Sequence, residues 1–556
     1  MSFFYHFRDP IHPPAARGGK PPEYRRYVEN GMLVELDVPI MMRDGVRIYV
    51  DVFRPADESE KVPPLIAWTP YGKHNSTLGF VPNVFPTSGI DFSKLSNYAT
   101  FEAPDPVFWV GHNYAVIVAD LRGTWNSEGN ATFFSPEEME DEYDLIEWAG
   151  VQPWSTGKVG LSGVSYLAIT QWRVAALNPP HLAAINPWEG VTDTYREIVN
   201  HGGIPSSFWP YMHDRWGVST TRLEDLLKMS EEHPFYDDYW ASKAAMLDKV
   251  TVPAYVVASW SDHGLHTRGT LEGYKHIKSE RKWLEIHGRK KWAYYYDPAS
   301  LKRQVLFFDH ILKGENNEVA EWPPVKLEVR EKYYEGAIQI EQEWPIARTE
   351  YTKLYLNAED LSLNREPIPE HASCSYNALG IGSTNNRMTF SLKCEETMKL
   401  IGHAKLKIYM QADGADDMDI FLNIKKLNKD GEEVLFPHFN QHENGAVAYG
   451  WIRASRRELQ EERSTEFFPV LAHRRDIKLE KDEIVCLDIE ILASGTVFEK
   501  GETLCIAVQG RDFNEYPIAD IYARHDYETI NRGRHIIHTG GQYNSYLLVP
   551  IVPDKE

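Results

Sequence analysis

Cysteine is scarce in this chain of 556 residues. There are four, Cys374, Cys394, Cys486 and Cys505, all in the last third and none in a C-x-x-C pair. That spacing argues against a cysteine zinc site, and nothing demands a disulfide. No apolar run approaches the roughly eighteen residues of a spanning helix. Signatures of nucleotide, dinucleotide and zinc-protease sites are also missing: there is no G-x-x-x-x-G-K-[ST], no G-x-G-x-x-G after a strand and no H-E-x-x-H. Positive charge is in deficit. The 59 Lys and Arg stand against 81 Asp and Glu, a formal net charge of -22, which argues against a nucleic-acid backbone or an anionic membrane as partner. The start, MSFFYHFRDP, has no charged region leading into a long apolar run, so no signal peptide is expected. The reading is a soluble cytoplasmic protein with reduced thiols.

What is present is ordinary globular material, 42% hydrophobic and 25% charged. The length exceeds what one core supports, so two or three domains are expected. Residues 1–30 are rich in Pro, Arg and Gly and read as an irregular surface arm. From 32 to 55 two β-like runs flank Arg43-Asp44-Gly45, a hairpin pattern. Short continuous apolar runs follow at 64–70, 114–120, 158–163, 182–187, 253–259 and 282–288, with helical periods at 137–150 and 165–178 between them. Continuous runs suit strands buried on both faces, and their alternation with helices predicts a mostly parallel sheet. Residues 190–250, rich in Trp, Tyr, His and Pro, break this rhythm and read as a cap above the strand ends. After about 345 the helical period vanishes, and short alternating runs spaced by Gly, Asn and Asp predict an all-β sandwich. The catalytic domain is therefore placed at 1–189 and 251–345, the cap at 190–250 and the β-sandwich at 346–556.

The strongest chemical signal is Gly163-Val164-Ser165-Tyr166-Leu167-Ala168, after an apolar strand and opening a helix. A small residue two before the serine permits a sharp turn that lifts the hydroxyl to the top of a sheet, and the helix start offers N–H groups to an oxyanion. A serine capping a helix would read the same. Leu167 fills the last place of G-x-S-x-G, a departure. A serine needs a base, and the base an orienting carboxylate; in this strand–turn–helix setting they follow in the order serine, acid, histidine. Asp262 directly follows PAYVVASWS (253–261), and His287 ends the next apolar run. His263 and His266 lie too near Asp262 in sequence to arrive from the next strand. D-H-G-L-H at 262–266 superficially resembles metal ligands, but spacing suggests no third one. Tyr71, after an early strand, is placed to donate to the oxyanion beside the Tyr166 N–H. Asp120 and Arg122 at another strand end read as a structural ion pair. Trp125, Trp209 and Trp216 are candidates for lining a substrate pocket, although cap tryptophans are more often core.

Taken together, TPYGK (69–73), ADLRGTWNSEG (119–129), the stretch 147–172, SWSDHGLHTRG (259–269), FFDHILKG (307–314) and GWIRAS (450–455) resemble the cocaine-esterase and X-Pro dipeptidyl-peptidase (CocE/NonD) family of serine hydrolases. The resemblance covers nearly the whole chain after about residue 32. It implies an α/β-hydrolase catalytic domain with a helical cap and a C-terminal jelly-roll domain. It implies Ser165 as nucleophile, Asp262 as acid, His287 as base, and Tyr71 with the Tyr166 N–H as oxyanion donors. Where the family has G-P-W-x-H, this chain has IHGRKKW, so its histidine comes several residues early. The expected chemistry is hydrolysis of a small ester or amide through an acyl-enzyme, without metal or organic cofactor. A carboxylesterase of the cocaine-esterase type is the first reading. An acyltransferase, an X-Pro-type dipeptidyl-peptidase and an α-amino-acid ester hydrolase are the alternatives. An exopeptidase would need an acidic pair for the substrate ammonium, and Glu189, Asp193, Glu197 and Asp214 are available for it. The oligomeric state stays open, with cap and sandwich offering surfaces for pairing.

Overall fold

In the computed structural model, which describes residues 4–379, 385–439, 442–513, 525 and 530–555, the apolar runs become one central sheet. Its strands are β1 (Met32–Met41), β2 (Arg47–Pro55), β3 (Pro64–Thr69), β4 (Ala115–Asp120), β5 (Val159–Val164), β6 (Leu182–Trp188), β7 (Ala254–Ser259), β8 (Lys282–His287) and β9 (Val325–Lys332). The spatial order is 1-2-4-3-5-6-7-8-9, antiparallel through β1, β2 and β4 and parallel from there. β3, β4, β5 and β7 are buried along their whole length. That is why their sequences are unbroken apolar runs rather than alternating ones. The hairpin at Arg43-Asp44-Gly45 forms as expected, closed by the Met42 N–H donating to Val46 O at 2.8 Å. This is an α/β-hydrolase-type domain.

Helix α1 (Pro136–Gly150) starts with the Ser135 hydroxyl accepting from the Glu138 N–H at 3.1 Å, with Pro136 in the first turn. Helix α2 (Tyr166–Ala175) is buried at every position. Glu138 ties the two together: it accepts from Trp68 Nε1 at 3.1 Å and from the Tyr166 hydroxyl at 2.8 Å.

The stretch 190–250 carries only short helices, among them α3 (Phe208–Arg215). The arm is more ordered than its composition suggests. Phe7–Arg8 pairs with Leu223–Glu224 of this stretch, and Arg25–Glu29 is an exposed edge strand on β1. An edge strand has no buried face, so apolar alternation is not imposed on it.

Among the described residues from 350 on, the chain is mostly antiparallel β with a second apolar core, built from Leu354, Leu406, Ile420, Leu487, Ile506 and Leu547 among others. It is joined closely to the first domain. Arg330 of β9, 2% exposed, donates to Val447 O, Ser494 Oγ and Thr496 Oγ1 at 2.8–3.1 Å. Gly202, at φ 59°, lies so close to this domain that a Cβ would stand 2.0 Å from Trp451 O. All four cysteines are free thiols.

Candidate active site

The turn after β5 is sharp and strained. Ser165 sits at φ 57°, a left-handed conformation that is costly for a residue with a side chain. Gly163 has φ 148°, and a Cβ there would lie 2.5 Å from that of Leu167, so glycine is required two residues before the serine. Leu167 fills the place of the pattern's second glycine, and the next residue, Ala168, faces Gly190 just after β6, where a Cβ would lie 3.0 Å from the Ala168 methyl. The first N–H groups of α2 have no partner within the helix, so the Tyr166 N–H is available beside the serine.

The histidine at Ser165 is His266, not His287. Ser165 Oγ and His266 Nε2 are 3.1 Å apart, and His266 Nδ1 makes a short contact to Asp262 Oδ2. Asp262 and His266 belong to one tight turn between β7 and α4 (Thr267–His276). The Asp262 carbonyl accepts from the N–H groups of Leu265, His266 and Thr267 at 3.2–3.3 Å. One helical turn puts side chains four apart on the same face, so proximity in sequence, taken above as disqualifying, brings acid and base together. Gly264 at φ 85° allows the turn.

His287 stands elsewhere. It is buried at the end of β8, with Nε2 3.1 Å from Glu189 Oε1 and Nδ1 accepting from the Arg289 N–H at 3.1 Å. Burial pushes its pKa down to about 3. His263 is used structurally: Nε2 lies 2.8 Å from the carbonyl of Ala493 in the β domain.

Lys291, at the start of helix α5 (Lys291–Tyr295), occupies the place beside the acid. Its Nζ lies 3.5 Å from Asp262 Oδ2 and 3.3 Å from His266 Nδ1. Nothing in its sequence position announces this; the departure from G-P-W-x-H is the one signal. Burial pushes the Asp262 carboxyl up, but Lys291 and His266 together pull it further down, leaving it well below the usual range. His266 is lowered to about 4, first by burial and then by the Lys291 charge, against the opposing pull of Asp262. The imidazole is therefore neutral, the form able to accept a proton, at any pH well above 4.

Tyr71 is half-buried above the serine. Its hydroxyl is near enough to Ser165, Trp216 and Glu102 for all three to bear on its ionisation, which burial raises well above 10. It stays protonated and able to donate. The loop that carries it is held by Asp120, which accepts from the Lys73 N–H at 2.7 Å. Arg122 makes two 2.6 Å hydrogen bonds to Asp141 and one of 2.7 Å to Asp44, a structural network.

Ser165 opens into a cleft of about 400 Å³. Phe80, Phe85, Phe101, Trp292, Phe208 and Phe439 give it aromatic walls. Phe208 comes from α3 and Phe439 from the β domain, where the Phe439 N–H donates to Ser261 O at 2.7 Å. The tryptophans expected to line it do not. Trp209 is buried within the stretch 190–250 with Nε1 donating to Ser230 Oγ, and Trp125 packs on Gly72. Trp216 reaches the site from behind, 5.1 Å from the Tyr166 ring. A larger cavity on the other side of Leu265 is walled by the paired charges of Arg268, Glu197 and Glu490 and holds no nucleophile.

Among the described residues, Asp37, Asp51 and His74 could offer ligands to a metal, but Lys73 Nζ contacts both carboxylates and supplies the positive charge there.

With this geometry in view, known proteins share both halves of the chain. Residues 44–290 match the X-Pro dipeptidyl-peptidase (S15) family, and residues 317–548 match the X-Pro dipeptidyl-peptidase C-terminal non-catalytic domain. Cocaine esterase of Rhodococcus sp. (strain MB1 Bresler) is 24% identical, with 94% of this chain and 100% of that protein aligned. The crystal structure of an α-amino-acid ester hydrolase superposes with a TM-score of 0.69 over 95% of this chain and 98% of its own, at 17% identity, and so shares the fold. A hydrolase from Staphylococcus aureus, described as CocE/NonD, superposes with a TM-score of 0.90 at 41% identity and 96% coverage of both chains. That likeness spans the α/β-hydrolase-type domain and the β domain alike, and the chain belongs to the CocE/NonD family of serine hydrolases.

Proposed function

We propose that the protein is a carboxylic ester hydrolase working through an acyl-enzyme on Ser165. The observation that carries this reading is the continuous contact from Ser165 Oγ through His266 to Asp262 at the floor of an aromatic cleft. His266 takes the serine proton as Ser165 attacks the carbonyl, and Asp262 holds the imidazole. The Tyr166 N–H and the Tyr71 hydroxyl receive the oxyanion. His266 then protonates the leaving alcohol, and water attacks the acyl-enzyme with the same histidine as base.

The boundaries 190–250 for the cap and 346–556 for a jelly roll complete the reading, and the free thiols suit a cytoplasmic setting. Among the described residues Glu102 is the single acid lining the cleft, so an acidic pair for a substrate ammonium has no counterpart there. Asp193 pairs with Arg196, Glu197 with Arg268, Asp214 is exposed, and Glu189 faces Asp262 and His287. This favours an esterase over an exopeptidase. An acyltransferase would use the same residues, and added alcohols that divert the product would reveal it.

Labelling the intact protein with a fluorophosphonate, followed by peptide mapping, tests the reading. A single adduct on Ser165 is expected; an unlabelled protein would sink it. Tyr71→Phe should lower kcat by about 10²-fold with little change in KM, as loss of one oxyanion donor does.

The pH profile is a further check. Because the base must be neutral, kcat/KM should rise through an acid limb near the His266 pKa of about 4 and stay flat to neutral pH. In Lys291→Met the charge that lowers this pKa is gone, so the limb should move upward. An unmoved limb would mean that Lys291 does not act on the base.

A further inference from the structure

One cation of the cleft has no acid of its own. Arg215 ends α3, and its side chain lines the cavity that holds Ser165. It is only half-buried overall, yet its Nη2 is shielded from solvent and has no hydrogen-bond partner. The guanidinium carbon lies 4.4 Å from the Phe80 ring centre and 5.9 Å from that of Tyr211. Aromatic faces compensate a desolvated cation only partly. Buried cations nearby are matched: Lys291 by Asp262, Arg268 by Glu197 and Glu490, Lys290 by Glu443 and Arg196 by Asp193. Among the described residues no carboxylate stands within ion-pair distance of Arg215. The acid lining the same cleft, Glu102, is engaged with Trp292, whose Nε1 donates to it at 3.0 Å.

A guanidinium presents a planar fork of donors that fits a carboxylate at two points, and such bonds are the strong ones. An unfilled fork inside an apolar cleft, beside a nucleophilic serine, is a place for the anionic end of a substrate. We propose that Arg215 is the specificity residue of this site and that the natural substrates are esters carrying a carboxylate. The proposal rests on the esterase reading and names its substrate class. The aromatic walls then enclose the apolar part between the carboxylate and the ester.

The test uses the whole enzyme and two matched series. In one, p-nitrophenyl butyrate is compared with the hemisuccinate and p-nitrophenyl valerate with the hemiglutarate, so that the carboxylate replaces a terminal methyl of the acyl chain. In the other, phenyl acetate is compared with 3-carboxyphenyl acetate, placing the carboxylate on the leaving alcohol. Spontaneous hydrolysis is subtracted throughout. In at least one series kcat/KM for the carboxylate ester should exceed that of its neutral partner by about 10- to 100-fold. Arg215→Gln should bring this ratio close to one, chiefly through KM, whatever it does to the neutral rate, and Arg215→Lys should keep part of it. A wild type that favours neutral esters in both series overturns the proposal. So does an Arg215→Gln variant that slows both members of a pair equally, since Arg215 would then be packing only. If no ester is turned over and fluorophosphonate leaves Ser165 unlabelled, the esterase reading fails, and this proposal with it.

Discussion

Replacing His266 by alanine is expected to lower kcat/KM by about 10⁴-fold or more and to abolish fluorophosphonate labelling of Ser165, whereas His287→Ala should leave labelling in place. The contrast follows from position. Nε2 of His266 is 3.1 Å from Ser165 Oγ, and without it the hydroxyl keeps its proton at neutral pH. His287 lies against Glu189, so its loss vacates a buried site at the end of β8 and costs stability before it costs chemistry. Measuring labelling rate and urea midpoint on both variants separates the two effects. A His287→Ala protein that folds but does not label, alongside a His266→Ala protein that does, would reverse the assignment.

Asp262→Asn should lose activity by about 10⁴-fold, since an amide favours the wrong imidazole tautomer. Here it should also destabilise the fold. Asp262 is fully buried, and Lys291, 1% exposed, loses the charge that matches its ammonium. Removing one partner of a buried pair costs about 3–5 kcal/mol. The double variant Asp262→Asn with Lys291→Met removes the stranded charge, so it should regain much of the stability and none of the activity. Equal stability of wild type and Asp262→Asn would show that Lys291 is balanced by another group.

The parallel sheet and the sharp turn at Ser165 were legible because their constraints are local. β3, β4, β5 and β7 must be apolar on both faces, and the turn at Ser165 needs Gly163 at a φ closed to other residues. The histidine beside Ser165 was misread because the usual order of residues was taken to demand a separate strand for each. Asp262 and His266 are four apart directly after β7, and that spacing was visible as D-H-G-L-H. The cleft was not legible. Its walls join Phe80, Phe208 and Phe439 across more than 350 residues of chain, and no local pattern marks an aromatic that will face a cavity rather than a core. The strand Arg25–Glu29 was hidden for the opposite reason: fully exposed, it carries no apolar signature.

Because Asp262 and His266 share one turn, closing the ring between acid and base orders only a handful of backbone torsions. An arrangement in which the base arrives from a later strand depends on two segments docking in register, and strain between them would show first as a misaligned proton path. In this chain Asp262 and His266 sit on one short segment, and only Ser165 comes from another, the turn after β5. A change at Phe208, which comes from α3, would reshape what the cleft admits without altering the backbone of the turn that carries Asp262 and His266, whereas Phe439 is tied to it through Ser261 O. Walls such as Phe80 and Phe208 belong to segments separate from that turn, whereas Tyr71, Lys291 and Phe439 line the cleft and bear on the triad at once.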